Sequence, residues 1–225
     1  MNASGFRFFV DSADPDLWKK YHGEGWLHGA TTNPLILQRS NLPVTLDTAR
    51  NLASAAKEIG ISELQIQSWG EKSGLLIENG LEIAKLWKNI TVKIPTTRDG
   101  LVAANILKQA GTKVTLTACY SAHQTALAAA MKLDYVAPYY GRMLEAEIDG
   151  DARLEAMRMV CQNHPGLRIL VASIRSIAQL ETLLKNGLDT FTITPNLCAH
   201  IGIDENSQLA AADFENAARQ SIKPQ

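Results

Sequence analysis

Hydrophobic and polar residues alternate along several short segments of the chain. In 90–95, Val92 and Ile94 occupy one face of a predicted strand, and Thr91 and Lys93 occupy the other, because side chains alternate across a strand. The same alternation occurs in 63–67, 113–117 and 191–194. A lysine inside such a strand needs an explanation, since a buried and unpaired charge is costly.

Eight strand-like segments recur along the chain: 6–11, 26–32, 63–68, 90–95, 113–118, 134–139, 168–173 and 189–194. Helix-like stretches separate them, including one that ends at Gly60 and one for which Asp99 is the predicted N-cap. Alternating strands and helices predict parallel βαβ units. An open, doubly wound sheet is the alternative, but no Gly-x-Gly-x-x-Gly motif follows the first strand, which disfavours it.

The sequence therefore predicts the α/β class, with a single (β/α)8 TIM barrel over residues 1–225 and a C-terminal helix at 204–221. The apolar face of each barrel strand meets the helices, and a covered parallel sheet has no wet face. The polar face, including Lys93, then points into the barrel interior. Active sites of such barrels lie at the C-terminal strand ends. The candidate site residues there are Asp11, Thr32, Asn33, Gln67, Lys93, Thr117, Tyr139, Arg142, Ser173 and Arg175.

Lys93 is the strongest candidate for covalent chemistry. A lysine in a low-dielectric pocket has a lowered pKa, which supplies a free amine near neutral pH. Such an amine attacks ketones and aldehydes to form a Schiff base, and the iminium permits retro-aldol cleavage. Asp11 is a candidate base, Gln67 or Thr117 can position water, and Tyr139 can move a proton.

Each of these residues also has a structural interpretation. Asp11 could cap the helix that follows it, and Asn33 could stabilise a turn before Pro34. Gln67 and Thr117 could be polar residues that fill the barrel. Tyr139 could belong to the core, with its hydroxyl satisfied by the backbone.

Arg142, Ser173 and Arg175 predict a phosphate site. The two arginines follow adjacent strands, and arginine binds phosphate through forked hydrogen bonds. Residues after Ser173 also begin a predicted helix, whose N-terminal amides favour anions. The alternative is that both arginines form surface ion pairs.

Composition limits the partners. The chain has 22 Lys and Arg against 23 Asp and Glu, so it lacks the basic excess typical of proteins that bind nucleic acids or membrane surfaces. Five scattered histidines form no metal-binding motif, and we expect neither metal nor cofactor. Three widely spaced cysteines, with no secretion signal or membrane-length apolar run, predict a cytoplasmic protein with reduced thiols.

Several motifs together resemble the transaldolase family, and within it the short fructose-6-phosphate aldolase-like branch. They are FFVDSAD, GATTNP, TVKIPTTRDGLVAANIL, TLTACYSAHQTALAAAM, YVAPYYGR and ILVASIRS. The resemblance implies a (β/α)8 barrel that acts on a sugar phosphate. It implies that Lys93 forms the Schiff base, Asp11 acts as acid and base, and Asn33 binds substrate. It also implies phosphate binding by Arg142, Ser173 and Arg175, and water positioning by Thr117 and Gln67.

Two positions favour the aldolase branch. Typical transaldolases have glutamate at the position of Gln67 and phenylalanine at that of Tyr139. A tyrosine hydroxyl can protonate the enamine and release a free ketone, which favours cleavage over transfer. Tyr140 and Trp69 depart from the family pattern, and we expect them to reshape the pocket.

Three functions remain open from the sequence. The first is an aldolase that cleaves a ketose phosphate, and the second is a transaldolase of the pentose phosphate pathway. The third is a non-catalytic barrel that binds sugar phosphates, since fold alone does not determine function. The resemblance also implies a homo-oligomer, a pentamer or decamer, with helix 204–221 packed on a neighbouring subunit. A mobile terminus is the alternative.

Overall fold

Eight parallel strands form one sheet that closes into a barrel. The computed structural model describes residues 5–221, and the strand order is β7-β6-β5-β4-β3-β2-β1-β8. The strands are β1 Arg7–Asp11, β2 Leu27–Thr31, β3 Glu63–Gln67, β4 Ile90–Pro95, β5 Lys113–Cys119, β6 Tyr135–Pro138, β7 Arg168–Ile169 and β8 Thr190–Ile193. All eight predicted segments contain a strand, and the (β/α)8 prediction is confirmed.

The closure between β7 and β8 is the thinnest part of the barrel. Val171 forms a parallel bridge with Phe191. The Val171 N–H donates to the Thr190 carbonyl at 2.9 Å, and the Thr192 N–H donates to the Val171 carbonyl at 2.9 Å. The predicted strand 168–173 is shorter than expected, because β7 ends at Ile169 and Val171 and Ala172 form only isolated bridges.

Helices surround the sheet. They are α1 Pro15–Gly23, α2 Pro34–Arg39, α3 Leu46–Ile59, α4 Ser73–Lys85, α5 Arg98–Gln109, α6 Ala122–Ala130, α7 Tyr140–Glu145, α8 Gly150–Gln162, α9 Ile177–Lys185, α10 Pro195–Cys198 and α11 Glu205–Ser221. Gly60 ends α3 in the left-handed conformation, as its position predicts. The predicted cap of α5 is wrong: Thr97 accepts the hydrogen bond from the Gly100 N–H, and Asp99 instead accepts from the Ser73 N–H.

The two faces of the strands divide as the alternation predicts. Val92 and Ile94 are fully buried in the core between strands and helices. The polar face lines the barrel interior, where the Glu63 carboxylate accepts hydrogen bonds of 2.8 Å from Gln65, Thr91 and Tyr135. These groups form a satisfied polar layer in the N-terminal half of the barrel, and the residues toward the C-terminal half are left to line the site.

Helix α11 extends from the barrel with none of its residues buried. Leu209 is 59% exposed and Phe214 is 73% exposed. Within residues 5–221, no helix is both long and apolar enough to span a membrane.

Candidate active site

A cavity of about 280 Å³ opens at the C-terminal ends of the strands. Nine of the ten predicted site residues line it: Asp11, Asn33, Gln67, Lys93, Thr117, Tyr139, Arg142, Ser173 and Arg175. These residues lie in the strands β1 to β7 or in the segments that follow them. Widely separated parts of the chain therefore meet around one cavity.

Lys93 lies in β4, where it pairs in register with Gln67 of β3 and Thr115 of β5. The residue is 3% exposed and faces the cavity. Burial lowers the pKa of Lys93, and the negative charge of Asp11 opposes this shift. The position therefore favours a neutral amine more than water would.

Asp11 ends β1 and accepts a hydrogen bond from Thr31 Oγ1 to its Oδ1 at 2.6 Å. Burial raises the pKa of Asp11, while the ammonium of Lys93 and the hydrogen bond from Thr31 oppose that rise. The alternative role as a helix cap is wrong, because Asp14 caps α1 by accepting from the Asp16 N–H. Asp11 thus caps no helix and lines the cavity.

Tyr139 and Thr117 also line the cavity, and Thr117 Oγ1 donates to the Tyr139 hydroxyl at 3.3 Å. Burial raises the pKa of Tyr139, so the phenol keeps its proton. The Arg142 guanidinium lies 5.1 Å from the centre of the Tyr139 ring. Tyr139 lines the cavity and its hydroxyl is bonded to a side chain rather than to the backbone, so the interpretation of Tyr139 as a core residue alone does not hold.

Ser173 and Arg175 follow β7 and lie against the start of α7. The Gly141 N–H donates to the Ser173 carbonyl at 2.9 Å, and a side chain at Gly141 would place its Cβ 2.0 Å from that oxygen. The Ser173 hydroxyl is buried and has no hydrogen-bond partner within residues 5–221. Arg175 Nε donates to Glu145 at 3.0 Å, so one of the two arginines does form the exposed ion pair considered from the sequence.

Asn33 combines a structural contact with a position in the cavity wall. Its side chain caps α2 by accepting from the Ile36 N–H at 3.1 Å, and it lines the cavity. Thr32 does not line the cavity; its buried hydroxyl has no partner in the described part of the chain. Tyr140 and Trp69 do not line it either, and the Tyr140 hydroxyl donates instead to Asp151 at 3.0 Å.

The structure adds residues that the sequence interpretation missed. Thr192 lines the cavity and Thr31 holds Asp11; the strand alternation that located Lys93 also contains Thr192 and was a usable signal. Arg39, at the end of α2, lines the cavity as well. No motif marks Arg39, because its position depends on how α2 packs. Residues 5–221 contain no group of three or more His, Cys, Asp or Glu residues placed to hold a metal ion.

A (β/α)8 barrel with a buried amine, a carboxylate and a phenol around one C-terminal cavity defines a class of barrel enzyme that can act on carbonyl compounds. Comparison with known proteins is more specific. A family model described as Transaldolase/Fructose-6-phosphate aldolase matches residues 8–224. The chain belongs to this family and is an enzyme of the Schiff-base aldolase and transaldolase kind.

Curated relatives agree with this assignment. The chain is 33% identical over 227 residues to a protein named "Probable transaldolase" from Parvibaculum lavamentivorans, covering 96% of this chain and 100% of the relative. Proteins of the same name from Jannaschia sp. and Roseobacter denitrificans are 30% and 31% identical, with the same coverage.

Proposed function

We propose that this enzyme is a class I aldolase that reversibly cleaves a ketose phosphate, such as fructose 6-phosphate, into dihydroxyacetone and an aldehyde phosphate. The observation on which this rests is the buried Lys93 amine, which faces the same cavity as Asp11 and the Tyr139 hydroxyl. The proposal names one activity within a family that includes both cleavage and transfer.

The first step forms the Schiff base. The neutral Lys93 amine attacks the C2 ketone to form a carbinolamine, which takes up one proton and loses one water to give an iminium ion. Thr117 and Gln67 both line the cavity beside Lys93. Their neutral side chains can orient this water as it leaves and as it returns for hydrolysis.

The second step breaks the C3–C4 bond. Asp11 takes the proton from the C4 hydroxyl, the C4 oxygen becomes the aldehyde, and the bond electrons move to the iminium to give an enamine. The Tyr139 hydroxyl then delivers a proton to C3 and regains one from the protonated Asp11 through solvent, so that both groups return to their starting states. Hydrolysis of the iminium releases dihydroxyacetone and regenerates the Lys93 amine.

The phosphate of the substrate lies between Arg142, Ser173 and Arg175. The Ser173 hydroxyl is unpartnered within residues 5–221, and Arg142 has no carboxylate within 4.0 Å among those residues. Both groups are therefore available to an anion. Arg175 exchanges or shares its contact with the exposed Glu145 when phosphate binds.

Transaldolase activity is the second candidate, and the names of the relatives favour it. The two reactions share every step up to the enamine and differ in what quenches it. Tyr139, hydrogen-bonded to Thr117, supplies a proton donor beside the enamine and supports cleavage. A non-catalytic barrel is disfavoured, because a binding protein has no need of a buried amine facing its ligand.

Borohydride trapping tests the proposal. Incubation with fructose 6-phosphate and borohydride, followed by peptide mass mapping, is expected to give a hexose-phosphate or three-carbon adduct on Lys93. Lys93→Met removes the amine and keeps most of the volume, so the adduct is expected to disappear. Lys113→Met, on the neighbouring strand at the opposite end of the barrel, is the matched control and is expected to keep the adduct.

Absence of an adduct on any lysine of the unmodified enzyme would refute both activities. Turnover of fructose 6-phosphate without acceptor, compared with turnover after addition of erythrose 4-phosphate, then separates them. Turnover that depends on the acceptor would contradict the aldolase proposal and support transfer.

We further propose that α11 packs on a neighbouring subunit in a pentamer or decamer. An apolar groove of about 690 Å³ lies between α1 and α9, with Trp26, Leu180 and Ile203 in its lining. The apolar residues Leu209 and Phe214 of α11 are exposed in the single chain. Burial of both surfaces between copies of the chain would remove apolar area from water.

A further inference from the structure

Two buried threonine hydroxyls form a chain that ends at Asp11. Thr31 Oγ1 lies 2.6 Å from Asp11 Oδ1 and 2.6 Å from Thr192 Oγ1. Thr31 is fully buried and Thr192 is 2% exposed. Thr192 lines the active-site cavity, whereas Thr31 does not, so the chain connects the cavity wall to the carboxylate through a hydroxyl behind it.

The number of protons fixes the direction of these hydrogen bonds. Thr31 has one hydroxyl proton and can donate to only one neighbour, and an ionised carboxylate can only accept. When Asp11 is ionised, Thr31 therefore donates to Asp11 and Thr192 donates to Thr31. Hydrogen bonds aligned in one direction polarise and strengthen one another.

We propose that Thr192 is a positioning residue that acts on Asp11 through Thr31. With Thr192 donating to it, the Thr31 hydroxyl stays aimed at Asp11 Oδ1. No other group within residues 5–221 donates a hydrogen bond to this carboxylate. Oδ2 is then the oxygen that remains for the substrate hydroxyl, and the inference rests on the proposed role of Asp11 as the base.

The pH dependence of Asp11 also reflects its other neighbours. The ionisable groups that face it are Lys93, Arg39, Arg175, Tyr139 and Cys198. None of them is hydrogen-bonded to Thr192. A substitution at Thr192 therefore changes the hydroxyl chain and leaves these charges in place.

Thr192→Val is the primary test, because valine keeps the shape and removes the hydroxyl. We expect cleavage of fructose 6-phosphate to slow roughly 2- to 5-fold, as one aligned hydrogen bond in the chain is lost. The acidic limb of the pH profile is expected to move to higher pH, at a proton concentration lower by about the same factor. The reason is that the ionised Asp11 carboxylate loses part of its hydrogen-bond stabilisation. Formation of the trapped hexose adduct on Lys93 is expected to stay unchanged, because that step precedes the work of Asp11.

Two further variants bracket this result. Thr31→Val removes the direct donor to the carboxylate, and we expect a loss of about 10- to 100-fold. Thr192→Ser keeps a hydroxyl at this position and is expected to retain most of the cleavage rate that Thr192→Val loses.

Thr190→Val is the matched control. Thr190 lies on the same face of β8, is fully buried, and donates to Asp189 at 2.7 Å rather than towards Asp11. The pH profile of this variant is expected to match that of the unmodified enzyme. A shift as large as that of Thr192→Val would show that any buried threonine on β8 matters, and would overturn the inference.

Titration of a ¹³C-labelled Asp11 carboxylate by NMR separates this inference from the proposed function. A raised pKa of Asp11 in Thr192→Val supports the inference even if the unmodified enzyme forms no adduct with fructose 6-phosphate, a result that would refute the aldolase proposal alone. An unchanged pKa of Asp11 would overturn the inference, whatever the activity.

Discussion

The buried carboxylate of Glu63 allows a quantitative prediction about stability. Its two oxygens accept three hydrogen bonds, from Gln65, Thr91 and Tyr135. Two basic side chains also lie nearby: His28 Nε2 is 3.6 Å and Arg7 is 4.0 Å from Oε2. Glu63→Gln replaces one acceptor oxygen with a donor group and removes the charge.

The magnitude follows from the contacts. If the amide nitrogen takes the Oε1 position, it faces the Gln65 Nε2 donor. If it takes the Oε2 position, the Tyr135 hydroxyl loses the acceptor for its proton. A hydrogen bond to a charged group contributes about 1.5–3 kcal/mol, and breaking a buried charge network costs about 3–5 kcal/mol. We expect the free energy of unfolding to fall by about 3 kcal/mol, which for a chain of this length lowers the Tm by roughly 6–12 °C.

The effect also has a defined pH dependence. Burial alone would raise the pKa of Glu63, but the nearby His28 and the hydrogen bonds from Thr91, Tyr135 and Gln65 hold this pKa below its ordinary value. A lowered folded-state pKa stabilises the protein above the unfolded-state pKa of about 4.3, and this contribution is lost as the pH falls through the folded-state pKa. The gap between Glu63→Gln and the unmodified protein is therefore constant near neutrality and narrows below about pH 4.3.

Urea unfolding between pH 3 and pH 8 measures this gap. Glu58→Gln, an exposed position on α3, is the control and is expected to change stability by less than about 0.5 kcal/mol. A difference between the two variants below about 1 kcal/mol at pH 7 would refute the argument that the interior layer depends on the Glu63 charge.

Three other predictions concern catalysis and assembly. Tyr139→Phe is expected to lower release of free dihydroxyacetone by about 100-fold or more relative to transfer to erythrose 4-phosphate; an unchanged ratio in coupled assays would contradict the role of Tyr139. Because burial lowers the pKa of Lys93, the rate of imine trapping by borohydride is expected to rise with pH and level off below the ordinary lysine pKa of about 10.4; a profile still rising at that pH would exclude the lowered pKa. The double substitution Leu209→Ser and Phe214→Ser is expected to reduce the mass measured by sedimentation, and an unchanged mass would refute packing of α11 between subunits.

Strand positions such as 63–67 and 90–95 were predictable because apolar residues on one face alternate with polar residues on the other, although both faces are buried. The same pattern located Lys93 and placed it on the interior face. Cap residues were less predictable: Thr97 and Asp99 are both good capping residues two positions apart, and only the observed backbone distinguishes them. The local sequence pattern does not show which of two such neighbouring residues caps the helix.

The site was predictable where residues lie at the ends of recognisable strands, as Asp11 and Tyr139 do. Arg39 was not, because it reaches the cavity from a helix and its position depends on tertiary packing. The contact between Thr31 and Thr192 joins positions 161 residues apart. Alternation shows that both could face the interior, but it does not show that they touch.

The thin closure between β7 and β8 has a consequence for how the enzyme binds its substrate. The single bridge between Val171 and Phe191 comes immediately before Ser173 and Arg175, the proposed phosphate ligands. A phosphate bound between them and Arg142 would link the segments after β6 and β7 beside the weakest join of the barrel. Binding of the sugar phosphate would then also brace the β7–β8 join, so that the substrate stiffens the barrel that holds it.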